Sequence, residues 1–140
     1  MTNNKIILAG VAGAMSLLLI GSMIFGFTLP RFGDTLNGSA SGVMKSPEEF
    51  GWIPLIIGHL AFGWLFAIIF GRWANISTFA GGAKAGLILG GLISLGNELI
   101  SFGSTNVSSL TGTVVEIVLQ TIVFALMGGV VGAMLGRGEK

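Results

Sequence analysis

Residues 6–29 read IILAGVAGAMSLLLIGSMIFGFTL, 24 positions between Lys5 and Pro30 without one charged side chain. At ~1.5 Å of rise per helical residue, about 20 such residues cross the ~30 Å hydrocarbon core of a bilayer. Working outward, the pattern recurs. Between Glu49 and Arg72 lie 22 uncharged positions (50–71), and between Glu116 and Arg137 lie 20 (117–136). The stretch 79–100 is less clean, because it carries Lys84 and Glu98. Each sits near an end, within reach of an interface, and the 13 residues between them are uncharged. Four transmembrane helices are expected, at about 5–28, 51–72, 79–101 and 112–136, with an outer loop at 29–50. The whole chain, 1–140, then forms a single all-α, polytopic membrane domain packed as a glycine-rich bundle.

Composition agrees. Hydrophobic residues make up 52% of the 140 and charged residues 9%, against about 25% charged in soluble domains. Mean hydropathy is +0.90. So few charges would not cover the surface of a soluble fold, and a disordered chain would be poorer in apolar residues. The first span reads as a retained helix rather than a cleaved signal peptide, its apolar run exceeding the roughly 7–15 residues of such a segment. With no cysteine, disulfides and thiolate metal sites are excluded, and with one histidine, His59, a chain offers no bis-imidazole haem site. No cofactor or metal is expected: one histidine and two carboxylates lack any metal-binding spacing. A net charge of +1, thinly scattered, offers nothing to nucleic acid.

Lys5, Arg72, Lys84, Arg137 and Lys140 fall on one side of this arrangement, and Arg31 and Lys45 on the other. The excess places both termini in the cytoplasm. Trp52 and Trp73 bracket the second helix as interfacial anchors. Pro30 is expected to end the first helix, and Pro54 to sit harmlessly in the first turn of the second. Ser46-Pro47-Glu48-Glu49 reads as a capped helical turn, and Thr111 as the cap of the last helix. The aromatic residues of the second helix, Phe62, Trp64, Phe66 and Phe70 among them, read as a lipid-facing surface, the alternative being a quinone-like site.

Small residues recur every fourth position: Gly82, Gly86 and Gly90 on the third helix, Gly128, Gly132 and Gly136 on the fourth, and a weaker Gly63, Ala67, Gly71 series on the second. Such stripes let helix backbones approach closely in lipid. They serve either packing within one bundle or, on the fourth helix, a homodimer or a partner subunit.

Five polar side chains fall inside the spans: His59, Asn97, Glu98, Glu116 and Gln120. Intramembrane ionisable groups raise a functional hypothesis by default. By helical rise, Glu98 and Glu116 lie within about 8 Å of the outer surface, and His59 and Gln120 roughly 12 Å in. Glu116 and Gln120 share a face. If the faces converge, they form an outward-opening polar pocket for a proton, cation or small ligand; otherwise they are helix-bonding and interfacial residues.

Two stretches, WANISTFAGGAKAG (73–86) and STNVSSLTG (104–112), resemble small bacterial four-helix integral membrane proteins grouped as a domain of unknown function. The resemblance implies a bacterial inner-membrane setting and brings no catalytic or binding residue with it. The leading functional expectation is a non-enzymatic accessory or structural membrane component acting through helix–helix contacts, alone with the lipid bilayer or within a homodimer or larger complex. The alternative is a small homo-oligomeric transporter or channel using the polar cluster. A lipid-modifying enzyme is the minor possibility.

Overall fold

A computed structural model describes residues 2–43 and 45–137; Lys140, counted above for orientation, lies outside the described residues. Four helices form the chain: α1 (Asn3–Leu36), α2 (Trp52–Ile68), α3 (Phe79–Ser104) and α4 (Leu110–Gly136). With the terminal turn of α2 included, all four are long and apolar enough to cross a membrane. The protein is a multi-pass, all-α membrane protein.

In space the helices follow the order α3, α4, α1, α2, with α2 also touching α4. The α3–α4 pairing is the most extensive, and the two glycine stripes meet there. A Cβ on Gly82 would strike the Gly128 carbonyl oxygen, one on Gly86 the Phe124 carbonyl oxygen, and one on Gly132 the Thr78 carbonyl oxygen. Without an apolar driving force between helices in lipid, this closeness supplies the dispersion contacts that hold α3. The stripe on α4 is therefore covered within the chain by α3 and the residues leading into it. Gly63 and Gly71 on α2 do the same work against α1, Gly63 lying on the Gly10 carbonyl oxygen and Gly71 on Ile6.

The core sits in the half of the bundle that holds the termini. Ile6, Ala9, Phe66, Phe70, Val131 and Leu135 are among its buried residues. Phe66 stacks on Phe124, with centroids 5.5 Å apart and planes 7° from parallel, and meets Phe70 edge-on at 5.6 Å. Phe66 and Phe70 are thus core residues, contrary to a wholly lipid-facing aromatic surface on α2. Trp52 and Trp73, 57% and 76% exposed at the two ends of that helix, do stand where interfacial anchors belong.

Sequence and structure part company at four boundaries. First, α1 does not end at Pro30 but runs 34 residues to Leu36, ~51 Å by helical rise. Proline removes one intrahelical bond and costs about 3 kcal/mol in a helix interior. The segment beyond it is held by what it reaches. Buried Leu36 packs against Gly112, and its carbonyl accepts the Ser109 N–H at 2.9 Å. The chain then bonds onward to the α3–α4 loop, Gly38 N–H to Val107 O at 2.8 Å and Ala40 N–H to Asn106 O at 2.9 Å. Second, the cap of α4 is Ser109, not Thr111: its hydroxyl oxygen accepts the Gly112 N–H at 3.0 Å and donates to the Thr35 carbonyl at 2.8 Å. Third, α2 finishes in a widened turn, Ile69–Trp73, where the Ala74 N–H reaches back five residues to Ile69 O at 2.8 Å. Asn75, at φ 49°, then turns the chain toward α3, a left-handed conformation asparagine tolerates. Fourth, α3 runs on to Ser104, three residues past its expected end at 101.

The turn at Pro47–Glu49 forms as expected, with the Glu49 carboxylate accepting the Ser46 N–H at 3.0 Å and its hydroxyl at 3.1 Å.

Candidate functional site

At the end opposite the termini, the bundle opens. Residues 51–58 of α2 and its approach are exposed on every side, whereas Gly63, Phe66, Ala67, Phe70 and Gly71 are buried. The divergence of α2 from α1 and α4 leaves a cavity of about 450 Å³, within the roughly 300–1,000 Å³ of small-molecule sites. Its floor is the edge-to-face pair Phe62–Phe124, centroids 5.3 Å apart. Leu17, Phe25, Pro54 and Val123 supply apolar walls, and only Ser22, His59 and Gln120 bring polar side chains to it.

Gln120 and Phe25 also line a second, more polar cavity of about 830 Å³. This one lies between the far end of α1, the following 37–43 segment, and α4. Its polar lining comes from Asn37, Ser41, Ser108, Glu116 and Gln120. The two cavities thus meet at one amide side chain, apolar on one side and polar on the other.

Gln120 is held in place from α3. Its Nε2 donates to Glu98 Oε1 at 3.1 Å, and the Glu116 carboxyl, one turn away on α4, is a neighbour of that of Glu98. The Glu98–Glu116–Gln120 group is therefore a true side-chain cluster across the α3–α4 seam. His59 stands apart from it, on the α2 wall of the apolar cavity. Its Nδ1 lies 2.7 Å from the Leu55 carbonyl, which only accepts, so Nδ1 carries the hydrogen and a neutral ring keeps Nε2 as a free acceptor. Asn97 is exposed on α3 and lines neither cavity. Among the described residues, no three His, Asp or Glu side chains gather as a metal site.

Several residues of the site escape sequence reasoning: Phe25 and Phe124, and the glycines Gly21 and Gly58. Gly58 carries a faint signal, since it falls outside the Gly63, Ala67, Gly71 stripe of its own helix. Two hydroxyl groups on α3 and α4 bond within their own helices. Thr121 Oγ1 donates to the Ile117 carbonyl at 2.6 Å and Ser94 Oγ to the Gly90 carbonyl at 2.8 Å.

Comparison with protein-family models, with curated proteins and with solved structures finds no match to this chain.

Proposed function

We propose that this protein is a non-enzymatic accessory component of a bacterial inner membrane, with both termini in the cytoplasm, that holds a ligand drawn from the bilayer in the cleft between α1, α2 and α4. The observation that carries this reading is the divergence of α2: one half of the helix is packed, the other is bare on all sides and walls a cavity. The packing stripes are engaged within the chain, which favours the cleft as the recognition surface.

The test is linkage. A ligand that binds the folded state stabilises it by about 2.7 kcal/mol at a hundred times its Kd. Delipidated protein in detergent is expected to gain thermal stability, saturably, when a total extract of bacterial inner membrane is added back. No gain at any extract concentration overturns the reading.

One observation favours a second reading, a homo-oligomeric transporter. Glu98 and Glu116 are neighbouring carboxyl side chains on α3 and α4, and paired intramembrane carboxyls suit proton-coupled traffic. Such traffic must pass the packed half beyond Phe62 and Phe124, so liposome flux no greater than that of empty vesicles argues against it.

A further inference from the structure

Two glycines of the apolar cavity have no reason to be glycine within the chain. Glycine weakens a helix relative to alanine, and elsewhere a close approach explains it: a Cβ at Gly63 would strike the Gly10 carbonyl oxygen, and one at Gly82 that of Gly128. Gly21 on α1 and Gly58 on α2 differ. A Cβ on either would meet no atom within 4 Å, yet both line the same cavity, from different helices. Gly26 and Gly96 are equally open but line neither cavity. Alanine at 21 and 58 would fit and would strengthen both helices. What the two positions preserve is smooth, empty space.

We propose that this space holds one acyl chain of a membrane lipid whose headgroup carries an ammonium, with the ammonium at the Glu116–Gln120 end. The inference rests on the ligand-holding reading above and names the ligand. An acyl chain suits the cavity because its walls are apolar and its α2 side is bare to the bilayer. The headgroup follows from charge. Through Gln120 the cavity continues into the polar one, where, among the described residues, Glu116 is the single ionisable lining residue and no Lys, Arg or His contributes. A carboxylate with amide and hydroxyl oxygens around it complements a donor-rich cation, and the lining brings no cationic side chain to a purely anionic headgroup.

The experiment uses the full chain reconstituted in bilayers of equal phosphatidylethanolamine and phosphatidylglycerol, re-extracted in mild detergent and weighed by native mass spectrometry. One phosphatidylethanolamine per chain is expected, retained about tenfold over phosphatidylglycerol. Gly21→Leu and Gly58→Leu, each filling the cavity, are expected to lower retention about tenfold with helicity unchanged by circular dichroism. Glu116→Gln is expected to keep a lipid but lose the preference. If leucine disturbs helicity, the double variant Gly21→Ala/Gly58→Ala, which adds two methyls in open space, is read in its place, and reduced retention is again expected. Equal retention of the two lipids by the wild type, no retained lipid, or full retention in the cavity-filling variants overturns the proposal. The add-back experiment separates the failures. If a total extract stabilises the protein but phosphatidylethanolamine does so no better than phosphatidylglycerol, the lipid assignment falls and the ligand-holding cleft stands. If no extract stabilises it, both fall.

Discussion

Gly58→Ala and Gly63→Ala make the same chemical change five residues apart in one helix, and the structure gives them opposite signs. At Gly58 the new methyl meets nothing within 4 Å. The helix gains roughly 0.5–1 kcal/mol from the loss of backbone freedom in the unfolded state. At Gly63 the same gain applies, but the methyl lands on the Gly10 carbonyl oxygen and the Ala14 backbone nitrogen, closer than the 3.0 Å that real Cβ atoms respect. Both obstacles are backbone, so α1 and α2 must separate by roughly an ångström. A gap of that size forfeits a quarter to a half of each dispersion contact along the seam, and overpacking of this kind costs about 1–3 kcal/mol. The net expectation is a gain of about 0.5–1 kcal/mol for Gly58→Ala and a loss of about 1–2 kcal/mol for Gly63→Ala. Reversible unfolding of delipidated protein in mixed micelles, followed by circular dichroism, measures both. Delipidation matters because a bound ligand at Gly58 would mask the gain. Equal effects of the same sign would refute the account, since they would mean that α1 and α2 approach each other no more closely at 63 than at 58.

Gly128→Leu, set against backbone of α3 at Gly82 and Gly86, is expected to detach α3 and lower thermal stability sharply while leaving the oligomeric state unchanged; size-exclusion chromatography with a thermal ramp reads both. Phe124→Ala removes the ring that stacks on Phe66 and closes the cavity floor, and a loss of about 3 kcal/mol is expected in the same unfolding assay. Glu98→Leu deprives the Gln120 amide of its acceptor and should cost between about 0.6 and about 1.7 kcal/mol, the mean and the maximum for interhelical hydrogen bonds in bilayers, whereas Glu98→Gln, which keeps an acceptor, should cost less. The chain has no cysteine, so single variants report topology directly: with cytoplasmic termini, Thr111→Cys reacts with an impermeant maleimide from outside intact cells and Lys84→Cys does not.

The spans were legible because charge is the one signal a bilayer reads without context, and here Lys5, Glu49, Arg72 and Arg137 mark it. The glycine stripes were legible as a need for close approach. Which helix would answer that need was not, since Gly128 offers the same surface to α3 or to a second copy, and only the three-dimensional order of helices decides. Pro30 misled because its local rule is correct: proline does weaken the helix. The compensation lies some eighty residues away in the α3–α4 loop, at Val107 and Ser109, where local reasoning has no view. The pairing of Glu116 with Gln120 followed from helical spacing alone. Their meeting with Glu98 did not, and neither did the separation of His59 and Asn97 from that group, because rotation of α2 and α3 about their axes is set by packing that periodicity does not specify. Gly21 and Gly58 were hidden for a related reason. A glycine that faces empty space looks, in sequence, the same as one that faces a neighbouring backbone.

The bare stretch at 51–58 has a consequence for anyone who handles this molecule outside its membrane. Half of α2 is held by contacts written into the chain; the other half leans only on whatever amphiphile surrounds it. In effect the solvent is a structural wall of the protein, and exchanging it rebuilds that wall. Detergents of different chain length should therefore return one shape for the end near the termini and a family of shapes for the opposite end. The bilayer completes the fold there, and the architecture of the cleft belongs jointly to the protein and its lipids.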